Sequence, residues 1–186
     1  MMKKWMIILL SMLMCLAWLP VQAEDPMAAL TPFMLTLPQD VTARANAGGT
    51  SVTFMHGNGM TRVVAMVLDR VPDEKGDHAA ELTRLMGQFA PDAGEHTPLT
   101  LSEGFYGLMA VTPYALEGVG SDRVDQVTVM VLWQTPLEGE LLILSGYDMA
   151  GDTARARTMV EVLLKAVTVN GTPVVPPVTE MSLPEE

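Results

Sequence analysis

One six-residue segment, MHGNGM at positions 55–60, holds the side chains best suited to bind a metal. Thioether sulfur and imidazole nitrogen together are ligands that select Cu(I). Met55, His56 and Met60 are therefore the candidate metal ligands. The Asn-Gly pair between two β-rich runs predicts a hairpin, and two registers are open. A two-residue turn pairs His56 with Thr61 and sends His56 and Met60 to opposite faces of the sheet, whereas a three-residue loop places them on one face.

No known catalytic motif stands elsewhere in the sequence. It contains no Gly-x-Ser-x-Gly nucleophile motif, no His-Glu-x-x-His zinc motif and no glycine-rich phosphate loop. Ser121 and Ser145 stand beside glycines in segments that fit turns better than a nucleophile elbow. We therefore predict no catalytic residue and no cofactor. A hydrolase whose Ser, His and Asp are dispersed along the chain is an alternative, because such sets are recognised by their geometry.

Aromatic residues are few. Beyond the first 23 residues the chain has one tryptophan, Trp133, and three tyrosines, Tyr106, Tyr114 and Tyr147. Carboxylates are numerous enough for a glycosidase pair, but so small a set of rings predicts little aromatic surface on which a sugar could stack. This composition argues against a glycosidase.

The first 23 residues have the parts of a secretory signal peptide. Lys3 and Lys4 supply the positive start, and an apolar run follows at 5–19. Val21 and Ala23 fit the positions that signal peptidase recognises, so cleavage is predicted after Ala23. The apolar run is shorter than the roughly 20 residues that cross a bilayer, which disfavours a retained anchor. We expect no stable membrane span after cleavage.

The cysteine content points to an exported domain without disulfides. Cys15 is the only cysteine, and it lies within the apolar run. Met14 before it is too bulky for lipoprotein processing, so lipidation is disfavoured. Cleavage would leave a cysteine-free mature protein. The bacterial periplasm is the expected location; secretion is the alternative, since Asn170-Gly171-Thr172 could accept a eukaryotic N-glycan.

The charge argues against nucleic-acid binding. The chain carries a formal net charge of −11, and loss of Lys3 and Lys4 would leave 9 basic residues against 22 acidic ones. Such a surface repels phosphate backbones and anionic lipid headgroups. We expect no nucleic-acid partner and attribute the acidity to solubility, with a basic partner or a divalent cation as the alternative.

Two periodicities predict an α+β fold. Strands are predicted at 33–37, 51–56, 60–69, 99–101, 105–112, 124–135 and 141–147. The runs at 63–68 and 141–144 lack polar alternation, which indicates strands covered on both faces. Amphipathic helices are predicted at 78–90 and 153–167, with Asp77 and Asp152 as their N-caps. The expected architecture is an antiparallel sheet flanked by these two helices.

The chain divides into four predicted segments. They are a signal peptide at 1–23, a polar connecting segment at 24–31, a single domain at 32–170 and a proline-rich mobile tail at 171–186. The tail contains four prolines, which cannot continue a helix or a central strand.

The order of these elements is similar to that of a known protein superfamily. An opening strand runs into a proline at 33–38, a hairpin and a mid-chain helix follow, and long strands lead to the final strand and the C-terminal helix. This layout, over about 32–170, resembles the PsbP-like superfamily, which includes DcrB-type bacterial periplasmic proteins. The chain departs from it at Gln39-Asp40-Val41, where an aromatic residue often follows the opening Leu-Pro. The resemblance implies an α/β/α sandwich used for assembly or binding, and it transfers no functional residue.

Three functions follow from these patterns. The first is a non-enzymatic exported protein that binds an envelope partner or assists its assembly. The second is a small-ligand or copper-binding module centred on Met55, His56 and Met60. The third is the hydrolase with dispersed catalytic residues.

Overall fold

The computed structural model describes residues 25–70, 77–115, 123–134 and 139–177. The predicted signal peptide, with Val21 and Ala23, lies outside the described residues. A 3-10 helix, Pro26–Leu30, opens the described chain. The strands and α-helices follow in the order β1 Phe33–Leu35, β2 Val41–Ala45, β3 Ser51–His56, β4 Thr61–Arg70, α1 His78–Phe89, β5 Thr97–Pro98, β6 Phe105–Ala115, β7 Arg123–Gln134, β8 Gly139–Asp148, α2 Thr153–Lys165, β9 Val167–Val169 and β10 Thr172–Pro173.

Two antiparallel sheets organise these strands. The large sheet has seven strands in the order β2-β3-β4-β8-β7-β6-β5, and the small sheet has the order β1-β9-β10. Strand β5 is only two residues long and pairs with Leu108 and Met109, so it covers a small part of the outer edge of β6. The predicted α+β fold with an antiparallel sheet and two helices is confirmed.

Helices cover opposite faces of the large sheet. Along β8, Leu142 and Leu144 belong to the core that packs against α2, while Leu141 and Ile143 belong to the core that packs against α1. Successive side chains of a strand point to opposite faces, so a strand buried on both faces needs apolar residues at every position. The prediction that 141–144 is covered on both faces is thereby confirmed.

Both helices begin directly after their predicted N-cap residues, Asp77 and Asp152. The Asp77 side chain accepts from the backbone N–H of Ala80, and the Asp152 side chain accepts from that of Arg155. Each carboxylate satisfies a helix N–H that has no partner within the helix. The second helix ends at Lys165, two residues earlier than predicted, because Val167 begins β9 and is buried there.

The domain is longer than predicted at both ends. In the segment 24–31, assigned as a connection, Leu30 is 1% exposed and belongs to the core. The start of the predicted tail at 171 is also wrong, because Thr172 and Pro173 pair with β9 and Val174 is fully buried. The rest of the predicted tail, 178–186, lies outside the described residues.

Two strand predictions also need correction. The strand expected at 99–101 is found at Thr97–Pro98, and beyond it only the Leu99 N–H reaches β6, where it donates to Gly107 O. Strand β2 was missed, because Val41–Ala45 reads VTARA, which alternates but has a single large apolar side chain. Pairing along its whole length with β3 supplies the stabilisation that its own sequence does not indicate.

Glycine in β8 lets α2 approach the sheet closely. A Cβ added at Gly146 would lie 2.5 Å from Val160 Cγ2 on α2 and 3.1 Å from Val63 Cγ2 on β4. Real Cβ atoms are not found at the shorter distance, so any other residue would force the Val160 side chain, the helix or the strand to move. This contact sets how far α2 stands from the sheet.

Candidate functional site

A buried carboxylate joins three elements at one end of the sheet. Asp148, the last residue of β8, is 1% exposed. Its carboxylate accepts from the Thr61 hydroxyl at 2.7 Å and from the Ala150 N–H at 2.9 Å. The Arg155 guanidinium on α2 lies 3.4 Å away and also contacts Asp152 at 3.1 Å. The carboxylate therefore ties the start of β4 and the first turn of α2 to the end of β8.

These contacts set the protonation of Asp148. Burial alone raises the pKa of its carboxyl group, but the hydrogen bond from Thr61, the backbone N–H groups of Ala150 and Asp152 and the charge of Arg155 lower it. The lowering contributions prevail, so the pKa lies below its ordinary value of 3.8. Asp148 is therefore ionised at neutral pH, which suits an anchor and not a general acid.

The β3–β4 hairpin is held to this anchor through Asn58. The Asn58 side chain donates to the Thr61 hydroxyl at 3.1 Å and accepts from the Met60 N–H at 2.9 Å. Met55 pairs with Arg62, and the same register places His56 opposite Thr61, as in the predicted two-residue turn. The loop itself has four residues, 57–60, with Gly59 at a φ of 72°. The alternative register, with His56 and Met60 on one face, is wrong.

A pocket of about 250 Å³ opens between α2, the 38–41 turn and the hairpin. We call it the α2 pocket. Its apolar wall consists of Pro38, Val41, Met159 and Val162, and its polar rim consists of Gln39, Asp40, His56, Thr61, Arg155 and Thr158. The turn is fixed by two backbone hydrogen bonds, from Val41 to Pro38 and from Gly57 to Asp40. Val162, at 41% exposed, extends the apolar surface from the pocket to the helix exterior.

The predicted metal ligands do not meet in this pocket. His56 lines it, and its Nδ1 accepts from the Asn58 N–H at 3.1 Å. Met55, the neighbour of His56 along β3, points to the other face of the sheet and lines a different cavity. Met60 is 39% exposed at the hairpin tip. Across 25–70, 77–115, 123–134 and 139–177, no three His, Asp or Glu side chains gather into a metal site.

The serine considered for a hydrolase has another neighbour. The Ser145 hydroxyl lies 3.4 Å from the Thr128 hydroxyl on the neighbouring strand β7. It points to the face of the sheet opposite to His56, because Val64, its partner on β4, alternates with Val63 of the α2-side core. Ser121 lies outside the described residues.

The anchor of this site was not predicted from the sequence. Thr61 and Asp148 are separated by 87 positions, and neither stands in a motif. The one available signal was a pair of aspartates four residues apart between β8 and α2, Asp148 and Asp152, of which only the second was assigned a role. The charge of Asp148 at the end of an apolar strand required a buried partner, but the sequence did not show which residue that would be.

The described residues contain no helix that could span a membrane. Helices α1 and α2 have 12 and 13 residues, and neither is long and apolar enough to cross a bilayer.

Comparisons with known proteins identify a shared fold. No family model matches the chain, and no curated protein sequence matches it either. Among solved structures the chain is similar to the crystal structure of LpqN, a Mycobacterium tuberculosis protein involved in cell envelope biogenesis. The two share 14% identity with a TM-score of 0.52 over 74% of this chain and 82% of LpqN. At that identity the likeness shows the fold alone, and it agrees with the fold that the PsbP-like resemblance implied.

Proposed function

We propose that this protein is a non-enzymatic, exported component of the cell envelope that binds a partner protein through the α2 pocket. The observation that carries the proposal is the pocket itself. Its apolar wall lies on the 38–41 turn, which two backbone hydrogen bonds fix, and on α2, whose first turn is tied to Asp148. The signal-peptide pattern and a structural neighbour involved in cell envelope biogenesis support the location.

The size of the pocket favours a partner protein over a free ligand. Sites for drug-sized molecules occupy roughly 300–1,000 Å³, and this pocket has about 250 Å³. That volume suits one large apolar side chain. Protein interfaces concentrate their binding energy in such anchors, surrounded by polar contacts that exclude water. Arg155, Thr158 and His56 would form that polar rim.

The copper-binding alternative draws less support from the geometry. Its three ligands need to converge, and Met55 and His56 point to opposite faces of the sheet. The hydrolase alternative needs a serine beside a histidine. Ser145 and His56 lie on opposite faces of the sheet, so this pair does not supply one.

Export makes a prediction that requires only the native protein. We expect intact-mass analysis of protein purified from the producing cells to give a chain that begins at Glu24, recovered from the envelope or the medium. Cleavage there removes the apolar run and follows Val21 and Ala23, which fit the positions that signal peptidase recognises. Native protein that still began at Met1 and fractionated with the cytosol would refute export, whatever the α2 pocket binds.

Partner binding is tested by placing a photo-crosslinking amino acid at Thr158, an exposed pocket residue of α2. We expect irradiation of intact cells to link this position to one envelope protein. Addition of Val162→Asp should reduce the yield by about tenfold, because a charge in the apolar wall costs at least ~1.4 kcal/mol on contact with an apolar side chain.

The matched control is the same photo-crosslinker at Glu161, which is exposed on α2 but does not line the pocket. It should give no adduct with that protein. Equal yields at Thr158 and Glu161, or a yield at Thr158 that Val162→Asp leaves unchanged, would refute the α2 pocket as the interface. Labelling of the purified protein by a fluorophosphonate would refute the non-enzymatic role.

A further inference from the structure

A second surface lies on the opposite face of the large sheet from α2. In the register of the sheet, one row of side chains crosses six strands on this face: Thr42, Met55, Arg62, Tyr147, Gln126 and Thr112. The α1 core occupies the far end of the face, at Leu141 and Ile143. At this end Met55 is 37% exposed and Tyr114 is 38% exposed. We call this end the open sheet face.

Two arginines converge on a cavity in the open sheet face. Arg44 on β2 and Arg62 on β4 flank β3 and line the same cavity of about 280 Å³, which Asn46, Thr53 and Met55 also line. The residues that line it include no carboxylate, and neither arginine forms an ion pair with a described residue. Two like charges in one cavity repel each other unless an anion lies between them.

Arg62 also lacks an acceptor. Its Nε is buried and has no hydrogen-bond partner among the described residues. A buried donor without an acceptor costs free energy, and native structures contain few of them. A phosphate or carboxylate group is the natural partner, because its two oxygens match the paired N–H groups of a guanidinium.

Aromatic rings lie next to the arginines. Tyr147 stands directly opposite Arg62 in the β4–β8 register, and its ring centroid is 5.6 Å from that of Tyr114. Gln126 pairs with Tyr147 on its other side, and its amide lies 3.5 Å from the Thr128 hydroxyl. The fold thus brings together two of the few tyrosines, which the sequence keeps 33 positions apart, and places donors and acceptors beside them.

We propose that the open sheet face binds an anionic sugar. The oxyanion lies between Arg44 and Arg62, and the C–H face of the ring packs on the Tyr114–Tyr147 pair, with its hydroxyls toward Gln126. Opposed residues on neighbouring strands have Cβ atoms about 5 Å apart, so Arg62 and Tyr147 can contact two parts of one monosaccharide. The chain's overall charge of −11 repels polyanions, which favours a ligand with one charged group.

Titration of the ¹⁵N-labelled full mature chain tests the proposal. Glucose 6-phosphate and glucuronate represent the two sources of the charge, and glucose and inorganic phosphate represent the two halves of the ligand. We expect saturable amide shifts at Thr53, Arg62 and Tyr147 with at least one anionic sugar, and about tenfold weaker binding of glucose and of phosphate. Tighter binding of glucose 6-phosphate would identify the charged group as a phosphate, and tighter binding of glucuronate would identify it as a carboxylate.

Variants separate binding from folding. Arg44→Gln combined with Arg62→Gln should weaken binding at least tenfold, since it removes both charges. Arg84→Gln on α1 combined with Arg157→Gln on α2 removes the same two charges at exposed positions outside the cavity and should leave binding unchanged. If the double glutamine variant fails to fold, the corresponding lysine variant keeps the charge without the paired N–H groups and should still bind more weakly than the native chain. No shifts with either anionic sugar, unchanged binding in the folded variant, or phosphate alone binding as tightly as glucose 6-phosphate would each overturn the proposal.

Discussion

Replacing Asp148 by asparagine should lower the free energy of unfolding by about 2–3 kcal/mol at neutral pH. The carboxylate is fully buried and accepts from the Thr61 hydroxyl and the Ala150 N–H. Hydrogen bonds to an ionised acceptor are about twice as strong as neutral ones. The ion pair with Arg155 adds little, because that guanidinium is 47% exposed and spans 3.4 Å. Urea unfolding of the native chain and the variant measures the difference.

The same substitution should change how stability depends on pH. The pKa of Asp148 in the folded protein lies below its ordinary value of 3.8. Its contribution is therefore fully present above that value and is lost as the pH falls through the lower, folded pKa. We expect the difference between native chain and variant to be constant near neutrality and to shrink below about pH 4. Urea unfolding repeated over a pH series measures it.

Asp152→Asn provides the matched control for both measurements. Asp152 caps α2 from a partly exposed position, and asparagine is an equally good N-cap. A loss of stability as large in Asp152→Asn as in Asp148→Asn would contradict the anchoring role of the buried carboxylate. A difference between native chain and Asp148→Asn that grew as the pH fell would contradict the lowered pKa.

Replacing Gly146 by alanine should cost about 1–3 kcal/mol, the range for overpacking a core. The new Cβ would lie 2.5 Å from Val160 Cγ2, and we expect α2 to relieve this contact by moving away from the sheet. Because α2 carries Met159 and Val162 of the α2 pocket, the variant should also lose the Thr158 crosslink. Chemical denaturation reports the first effect and the crosslinking yield reports the second.

A second substitution should offset part of this loss. In Gly146→Ala combined with Val160→Ala, the methyl group that clashes is gone, so the double variant should be more stable than the sum of the two single changes predicts. Gly87→Ala on α1 is the control, since no atom lies within 4 Å of a Cβ there. That change should stabilise the protein by about 0.5–1 kcal/mol. Additive single and double changes would contradict the close contact.

Local signals predicted much of the fold. The helix starts at Asp77 and Asp152 depend on side chains that satisfy the backbone within one turn, so neighbouring residues are sufficient to predict them. The register of the β3–β4 hairpin was one of two options that Asn58-Gly59 allowed. Strand β2 and the small sheet were missed because their stability comes from partners far along the chain, as Phe33↔Val169 illustrates.

Both candidate sites depend on the same kind of long-range pairing. Asp148 meets Thr61 across the β4–β8 ladder, and Tyr147 meets Arg62 one position away in it. The small number of tyrosines predicted little aromatic surface, because a count does not show that the ring centroids of Tyr114 and Tyr147 lie 5.6 Å apart. His56, by contrast, was identified for its chemistry as a metal ligand and is found in a pocket with an apolar wall.

The shortness of β5 has a consequence for how copies of this protein meet. Beyond Leu108 and Met109, which β5 covers, the outer edge of β6 is not paired with another described strand. The Gly107 carbonyl oxygen accepts from the Leu99 N–H on the outer side of β6. Every second residue of the strand directs its backbone groups to the same side, so the backbone nitrogen of Pro113 also faces outward. A proline has no N–H to donate, so an incoming strand would find a gap in its ladder at that position. Pro113 thereby discourages edge-to-edge aggregation through β6.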